Sequence, residues 1–80
     1  MLKEEIFAKT LAVFRDVFDD NELEINETTT SSDIDGWDSL MHMQLIAEIE
    51  SAFETEFTLG EIQGLKNVGD LLSVVAKYKG

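Results

Sequence analysis

The stretch Gly36-Trp37-Asp38-Ser39-Leu40-Met41-His42-Met43-Gln44-Leu45-Ile46-Ala47-Glu48-Ile49-Glu50-Ser51-Ala52-Phe53 decides how this chain folds. From Asp38 onward it keeps a helical period to about Glu54. Leu45, Ile46, Ile49, Ala52 and Phe53 share one arc and are expected to face a core. Leu40, Met43 and Ala47 lie on nearly the opposite arc, a second apolar stripe that one-sided packing does not require. Asp38 is placed to cap the helix, since its carboxylate can accept from the free amides of the first turn. Ser39 then stands at the positive end of the helix dipole, a favourable place for an attached phosphate.

Toward the N-terminus, Lys3 to Phe18 predicts another helix. Ile6, Phe7, Leu11, Val13, Phe14, Val17 and Phe18 form one broad apolar face, with Lys3, Glu5, Lys9, Arg15 and Asp16 mostly opposite. Asp19 to Trp37 lacks that pattern and reads as a long loop. Leu23, Ile25, Ile34 and Trp37 are its apolar pins, and a short helical turn fits around Ser32 to Asp35. Loops this long are uncommon in compact domains unless they are packed or functional.

Toward the C-terminus, Thr58-Leu59-Gly60-Glu61 has capping-box spacing. It predicts a short helix of about two turns to Leu65, with Ile62 and Leu65 inward. Asn67 caps a last helix through Tyr78, whose apolar side is Leu71, Leu72, Val74, Val75 and Tyr78. Lys77 and Lys79 suit its negative end. The expectation is an all-α four-helix bundle: three longer helices roughly along one axis, a short third helix, and a long loop between the first two. Phe14, Ile34, Ile49, Phe53 and Ile62 are expected in its core. No repeat divides residues 1–80, which are expected to form a single domain.

The chain has 80 residues, 17 acids against 6 Lys plus Arg, and a net charge of −11. That balance excludes direct nucleic-acid binding and docking on anionic membranes, both of which need cations. It favours partners with basic surfaces. A hydrophobic fraction of 44%, with five Phe, separates the chain from acidic disordered tails. Cys is absent, so disulfides, thiolate metal sites and a cysteine nucleophile are ruled out. The first residues carry no secretory signal, no run is long enough to cross a bilayer, and a cytoplasmic protein is expected.

Catalytic resources are thin. Ser39, His42 and Asp38 could be assembled into a triad, and Ser39 and His42 are one helical turn apart. Nothing supplies a nucleophile elbow or an oxyanion site, so no catalytic residue is assigned. His42, the only His, is expected at the core margin of the first helical turn. Asp33, Asp35 and Asp38 resemble part of an EF-hand loop. However, Trp37 stands at a ligand position, Asp38 replaces the turn Gly, and Gln44 replaces the bidentate Glu, so no metal site is assigned.

Together these features resemble the acyl carrier protein family, which includes peptidyl carrier domains. The match rests on Asp38-Ser39-Leu40 opening the second helix and Leu45-x-x-Glu48-Ile49-Glu50-x-x-Phe53 along it. Leu59-Gly60-Glu61-Ile62 resembles the family's third helix, and Val68-Gly69-Asp70-Leu71 the start of its fourth. The resemblance covers nearly the whole chain. It implies that a separate transferase, using coenzyme A and Mg, esterifies Ser39 with 4'-phosphopantetheine. The arm's thiol then carries acyl groups as thioesters, and the protein is a non-catalytic shuttle. Partners implied are the phosphopantetheinyl transferase and acyl-loading and acyl-processing enzymes with basic surfaces, met by a monomer.

Within that frame Asp38 shapes the modification site. Leu40, Met41, Met43 and Ala47 form the apolar contact patch, and Glu48 and Glu50 add acid. Fatty-acid-synthesis members usually carry several acids early in the second helix. Here Met41 and Gln44 are neutral, and Trp37 and His42 depart from the common pattern. That favours a specialised carrier, in polyketide, nonribosomal-peptide, lipid or polysaccharide-linked biosynthesis, over the housekeeping one. The competing reading is a small acidic helical adaptor that binds basic partners without a cofactor.

Overall fold

Helix α1 spans Lys3–Val17, α2 Ser39–Phe53, α3 Leu59–Gln63 and α4 Val68–Lys79, with a 3-10 turn at Ser31–Asp33. This computed structural model describes residues 2–79, and no β-strand occurs among them. The all-α, four-helix architecture is the one the periodicity predicts.

Three boundaries differ from expectation. The third helix ends at Gln63 rather than Leu65, with Gly64 as its C-cap. Gly60 and Gly64 both weaken a helix this short, and the chain must turn at Leu65 to reach the cap of α4. Phe18 is the C-cap of α1, not its last residue, because the chain turns there through Asp19 at φ 51°. The last helix extends to Lys79, one residue past Tyr78.

Helix α1 packs on both α2 and α4. Its buried stripe is Ile6, Thr10 and Phe14, four residues apart. It meets Leu45, Ile46, Ile49 and Phe53 of α2 and Val68, Leu71 and Val75 of α4. Ile25, Ile34 and Phe57 complete the core from the connections, while Ile62 and Leu65 are half-buried against it. Two cations placed opposite the apolar face turn inward to make tertiary contacts. Lys9 donates to the Ala52 carbonyl at 2.9 Å and lies over the Phe53 ring at 5.2 Å. Arg15 donates through Nε to the Leu23 carbonyl at 2.9 Å. Thr10 was not among the expected core residues, and it is fully buried.

The long loop is tied down by hydrogen bonds as well as by its apolar pins. The Asn26 side chain accepts the Thr28 amide at 2.9 Å, and Thr29 Oγ1 accepts the Asn26 amide at 2.9 Å. The carbonyls of Thr29 and Glu27 then accept the amides of Val68 and Gly69, at 2.9 and 2.8 Å. Asn67 Oδ1 takes the Asp70 amide at 2.8 Å. The loop and Asn67 together satisfy amides in the first turn of α4 that no helix can satisfy for itself. This fixes the middle of the loop against α4, ahead of the 3-10 turn that leads to α2.

Candidate functional site

The entry into α2 is built from four residues. Ile34 is buried and its carbonyl accepts the Trp37 amide at 3.3 Å. Gly36 turns the chain at φ +86°, a left-handed conformation that a side chain would strain. Trp37 packs edge-on against Phe14, at 5.4 Å and 82°, and lies 6.0 Å from Phe18. These contacts hang the start of α2 on α1. Asp38 then caps the helix as expected: Oδ1 accepts the Met41 amide at 2.9 Å and its carbonyl accepts the His42 amide at 2.8 Å.

Ser39 is the first residue of α2 and is exposed. It opens onto a groove of about 600 Å³ between Ser39, His42 and Met43 on one wall and Leu59, Ile62 and Lys66 on the other. Trp37 Nε1 donates to His42 Nδ1 at 3.1 Å. The two rings are within 22° of parallel with centroids 5.9 Å apart. That spacing, with so short an N···N distance, places them side by side in one plane rather than face to face. Burial pushes the His42 pKa below its ordinary value. A neutral imidazole is also the only form that can accept at Nδ1.

The residues read as a contact patch fall into two groups. Leu40, Met43 and Ala47 are exposed, Leu40 and Met43 at 77% and 58%. Met41 is half-buried, and Glu48 is exposed. Glu50 is half-buried, and its Oε2 accepts the Phe57 amide at 2.7 Å, a structural task the sequence did not announce. Leu59 was not singled out, yet it is 68% exposed across the groove from Met43. It is the first residue of a helix too short to turn every apolar side chain inward. The Trp37–His42 bond was missed as well, because residues five apart pair only when one lies outside the helix.

The arrangement suits a covalently attached group. The hydroxyl is accessible at the start of a capped helix. Met43 on one wall and Leu59 and Ile62 on the other give the groove an apolar lining, to which His42 and Lys66 add polar atoms. Asp33 is already engaged, accepting from the Thr30 amide at 2.9 Å, and Asp38 is engaged as the α2 cap. Among the described residues no three metal-ligating side chains converge.

The sequence model for the phosphopantetheine attachment site matches residues 8–75. This chain belongs to the acyl carrier protein family. The carrier is 32% identical to an acyl carrier protein of Lactobacillus acidophilus over 100% of both chains. It is 35% identical to the non-reducing polyketide synthase sorB of Penicillium rubens, matching 98% of this chain and 3% of that much longer protein. The solution structure of a holo acyl carrier protein from Geobacter metallireducens superposes with a TM-score of 0.81 at 49% identity, covering 90% of this chain and 82% of that one. A carrier of this family works with covalently attached 4'-phosphopantetheine, and such proteins are in general carriers rather than catalysts. Among the described residues no helix is long and apolar enough to cross a membrane.

Proposed function

We propose that Ser39 is the attachment point of 4'-phosphopantetheine and that this carrier serves a specialised pathway. The observation that supports it most directly is the exposed Ser39 at the first position of α2, capped by Asp38 and open to a half-apolar groove. When bound, the group supplies the terminal thiol that carries acyl chains, a sulfur this Cys-free chain lacks. Asp38 holds the first turn and thereby the direction in which the Ser39 hydroxyl is presented to a transferase. Leu40, Met43 and Ala47 offer an apolar contact beside it, and Met41, half-buried, supports that turn.

The specialised assignment rests on the first turn of α2, which contains no acid. Partner recognition there leans on apolar contact more than on charge. The acids Asp16, Asp19, Asp20, Glu22, Glu24, Glu27, Asp33, Asp35 and Asp38 lie before the site and steer partners with basic surfaces toward it. In this reading the protein acts as a cytoplasmic monomer, one domain, serving a phosphopantetheinyl transferase and acyl-processing enzymes.

Incubation with phosphopantetheinyl transferases, coenzyme A and Mg²⁺, followed by intact-mass measurement, tests the attachment. The expected result is a gain of one phosphopantetheinyl group in the wild type and none in Ser39→Ala. An undiminished gain in Ser39→Ala, or no gain with several transferases, overturns it.

A further inference from the structure

His42 makes one side-chain hydrogen bond among the described residues, the one from Trp37 Nε1 to Nδ1. With Nδ1 occupied as an acceptor, the neutral ring must carry its proton on Nε2. That N–H has no acceptor among the described residues, and the ring lines the same groove as Ser39. Ser39 and His42 are three apart on α2, so their side chains rise from one face a turn apart. Trp37 cannot swing away with the imidazole, because it is wedged against Phe14 and Phe18. The result is a donor of fixed tautomer, one turn from the hydroxyl, on a braced ring that lines the same groove.

We propose that His42 is a positioning residue for the prosthetic arm. Braced by Trp37, it donates from Nε2 to a non-bridging oxygen of the phosphodiester on Ser39. The bond sets the direction in which the arm leaves α2, over the Leu59–Ile62 wall of the groove. The charged groups that share the groove with the imidazole are Asp38, at the start of α2, and Lys66, in the connection to α4. Lys66 is a cationic neighbour for the same phosphodiester, but its flexible stem confers no direction. No proton is transferred, and the imidazole acts only as a hydrogen-bond donor. This inference rests on Ser39 as the attachment point.

The test compares the loaded wild type with His42→Gln, His42→Ala and Trp37→Phe, each shown by intact mass to carry one group. The readouts are the ³¹P resonance of the phosphodiester and the ¹⁵N resonances of the imidazole. The wild type is expected to show Nε2 protonated and Nδ1 unprotonated, with Nε2–H moved downfield on loading. In His42→Ala the ³¹P line should shift toward that of free phosphopantetheine, and His42→Gln, which keeps an N–H donor, should restore most of the wild-type position. Trp37→Phe should give a mixture of imidazole tautomers and an intermediate ³¹P shift. Identical ³¹P lines in wild type and His42→Ala overturn the proposal while leaving Ser39 loading intact. If His42→Ala does not fold, an Nε2–H resonance in the wild type that loading leaves unmoved overturns it equally. Failure of the wild type to gain mass strikes the attachment reading instead.

Discussion

The carbonyl of Glu27 accepts the Gly69 amide at 2.8 Å and stands 2.9 Å from where a Cβ on Gly69 would lie. Loop and α4 are thus in backbone contact at a position with no space for a side chain. The atom in the way is a carbonyl, which cannot yield as a flexible side chain would. Gly69→Ala gains about 1 kcal/mol of helix propensity but must push the loop off α4. Overpacking of this kind costs about 1–3 kcal/mol, and loss of the hydrogen bond adds about 1 kcal/mol. A net destabilisation of about 1–3 kcal/mol is expected in urea denaturation. Unchanged stability would show that the loop yields freely.

Glu61 joins α3 to α4. It accepts from Lys77 Nζ at 2.8 Å and from the Tyr78 hydroxyl at 2.6 Å, and it closes the Thr58 capping box at 2.8 Å. The Lys77 ammonium, the Thr58 amide and the Tyr78 hydroxyl hold its pKa down at about 2, from 4.5. A carboxylate with a depressed folded pKa stabilises fully above its unfolded value and loses that contribution as pH falls through the folded one. Wild type should therefore exceed Glu61→Gln in stability at neutral pH. The difference should shrink between pH 4.5 and about 2. Taking the difference cancels the relief of general charge repulsion near the pI. A gap that stays constant across this window would contradict the assignment.

His42 titrates with the opposite protonation logic but the same direction. Its folded pKa lies below 6.5, so the unfolded chain binds the proton first as pH falls, and stability declines with acidification below 6.5. Charging the ring also breaks the Trp37 bond, since Nδ1 then becomes a donor. The Trp37 emission should change across that titration in the wild type and not in His42→Gln. Parallel curves for the two would refute the coupling.

Much of this arrangement was legible in the sequence, and the gaps have physical reasons. The α2 core arc, the Asp38 cap, the Thr58–Glu61 box and the Asn67 cap all depend on residues close in sequence, where period and capping rules act. The loop pins were legible because apolar residues in an otherwise polar run have few other uses. The Lys9–Ala52 and Glu61–Tyr78 bonds were not legible, because they join residues whose proximity only the packed helices create. The early end of α3 reflects a balance between a good cap and two glycines that period alone does not weigh.

The patch beside Ser39 yields a ranking. Leu40→Ala, Met43→Ala and Leu59→Ala remove exposed side chains, so each should change stability by no more than about 0.5 kcal/mol. Each should nevertheless slow transfer to a partner enzyme more than Glu48→Gln does. Glu50→Ala should behave differently, lowering stability by about 1–3 kcal/mol through the orphaned Phe57 amide. Kinetics with a cognate transferase, beside denaturation curves, separate the two effects. A larger kinetic loss in Glu48→Gln than in Leu40→Ala would reverse the ranking and make charge the main determinant.

Thr10 gives a prediction with the opposite sign. It is fully buried in the α1 stripe between Ile6 and Phe14, and its Oγ1 has no hydrogen-bond partner among the described residues. A buried hydroxyl without a partner forfeits its bonds to water and gains nothing in return, at about 1–3 kcal/mol. Val has nearly the same shape, and replacing a hydroxyl by a methyl there removes that penalty and adds apolar burial. Thr10→Val is therefore expected to raise stability by about 1–2 kcal/mol, while Thr10→Ala, which leaves a void, should not. For a domain of this size, whose total stability is of order 5 kcal/mol, the gain should be plain in thermal and urea midpoints. A destabilised Thr10→Val would mean that the hydroxyl is satisfied in solution by a buried water or by the Ile6 carbonyl.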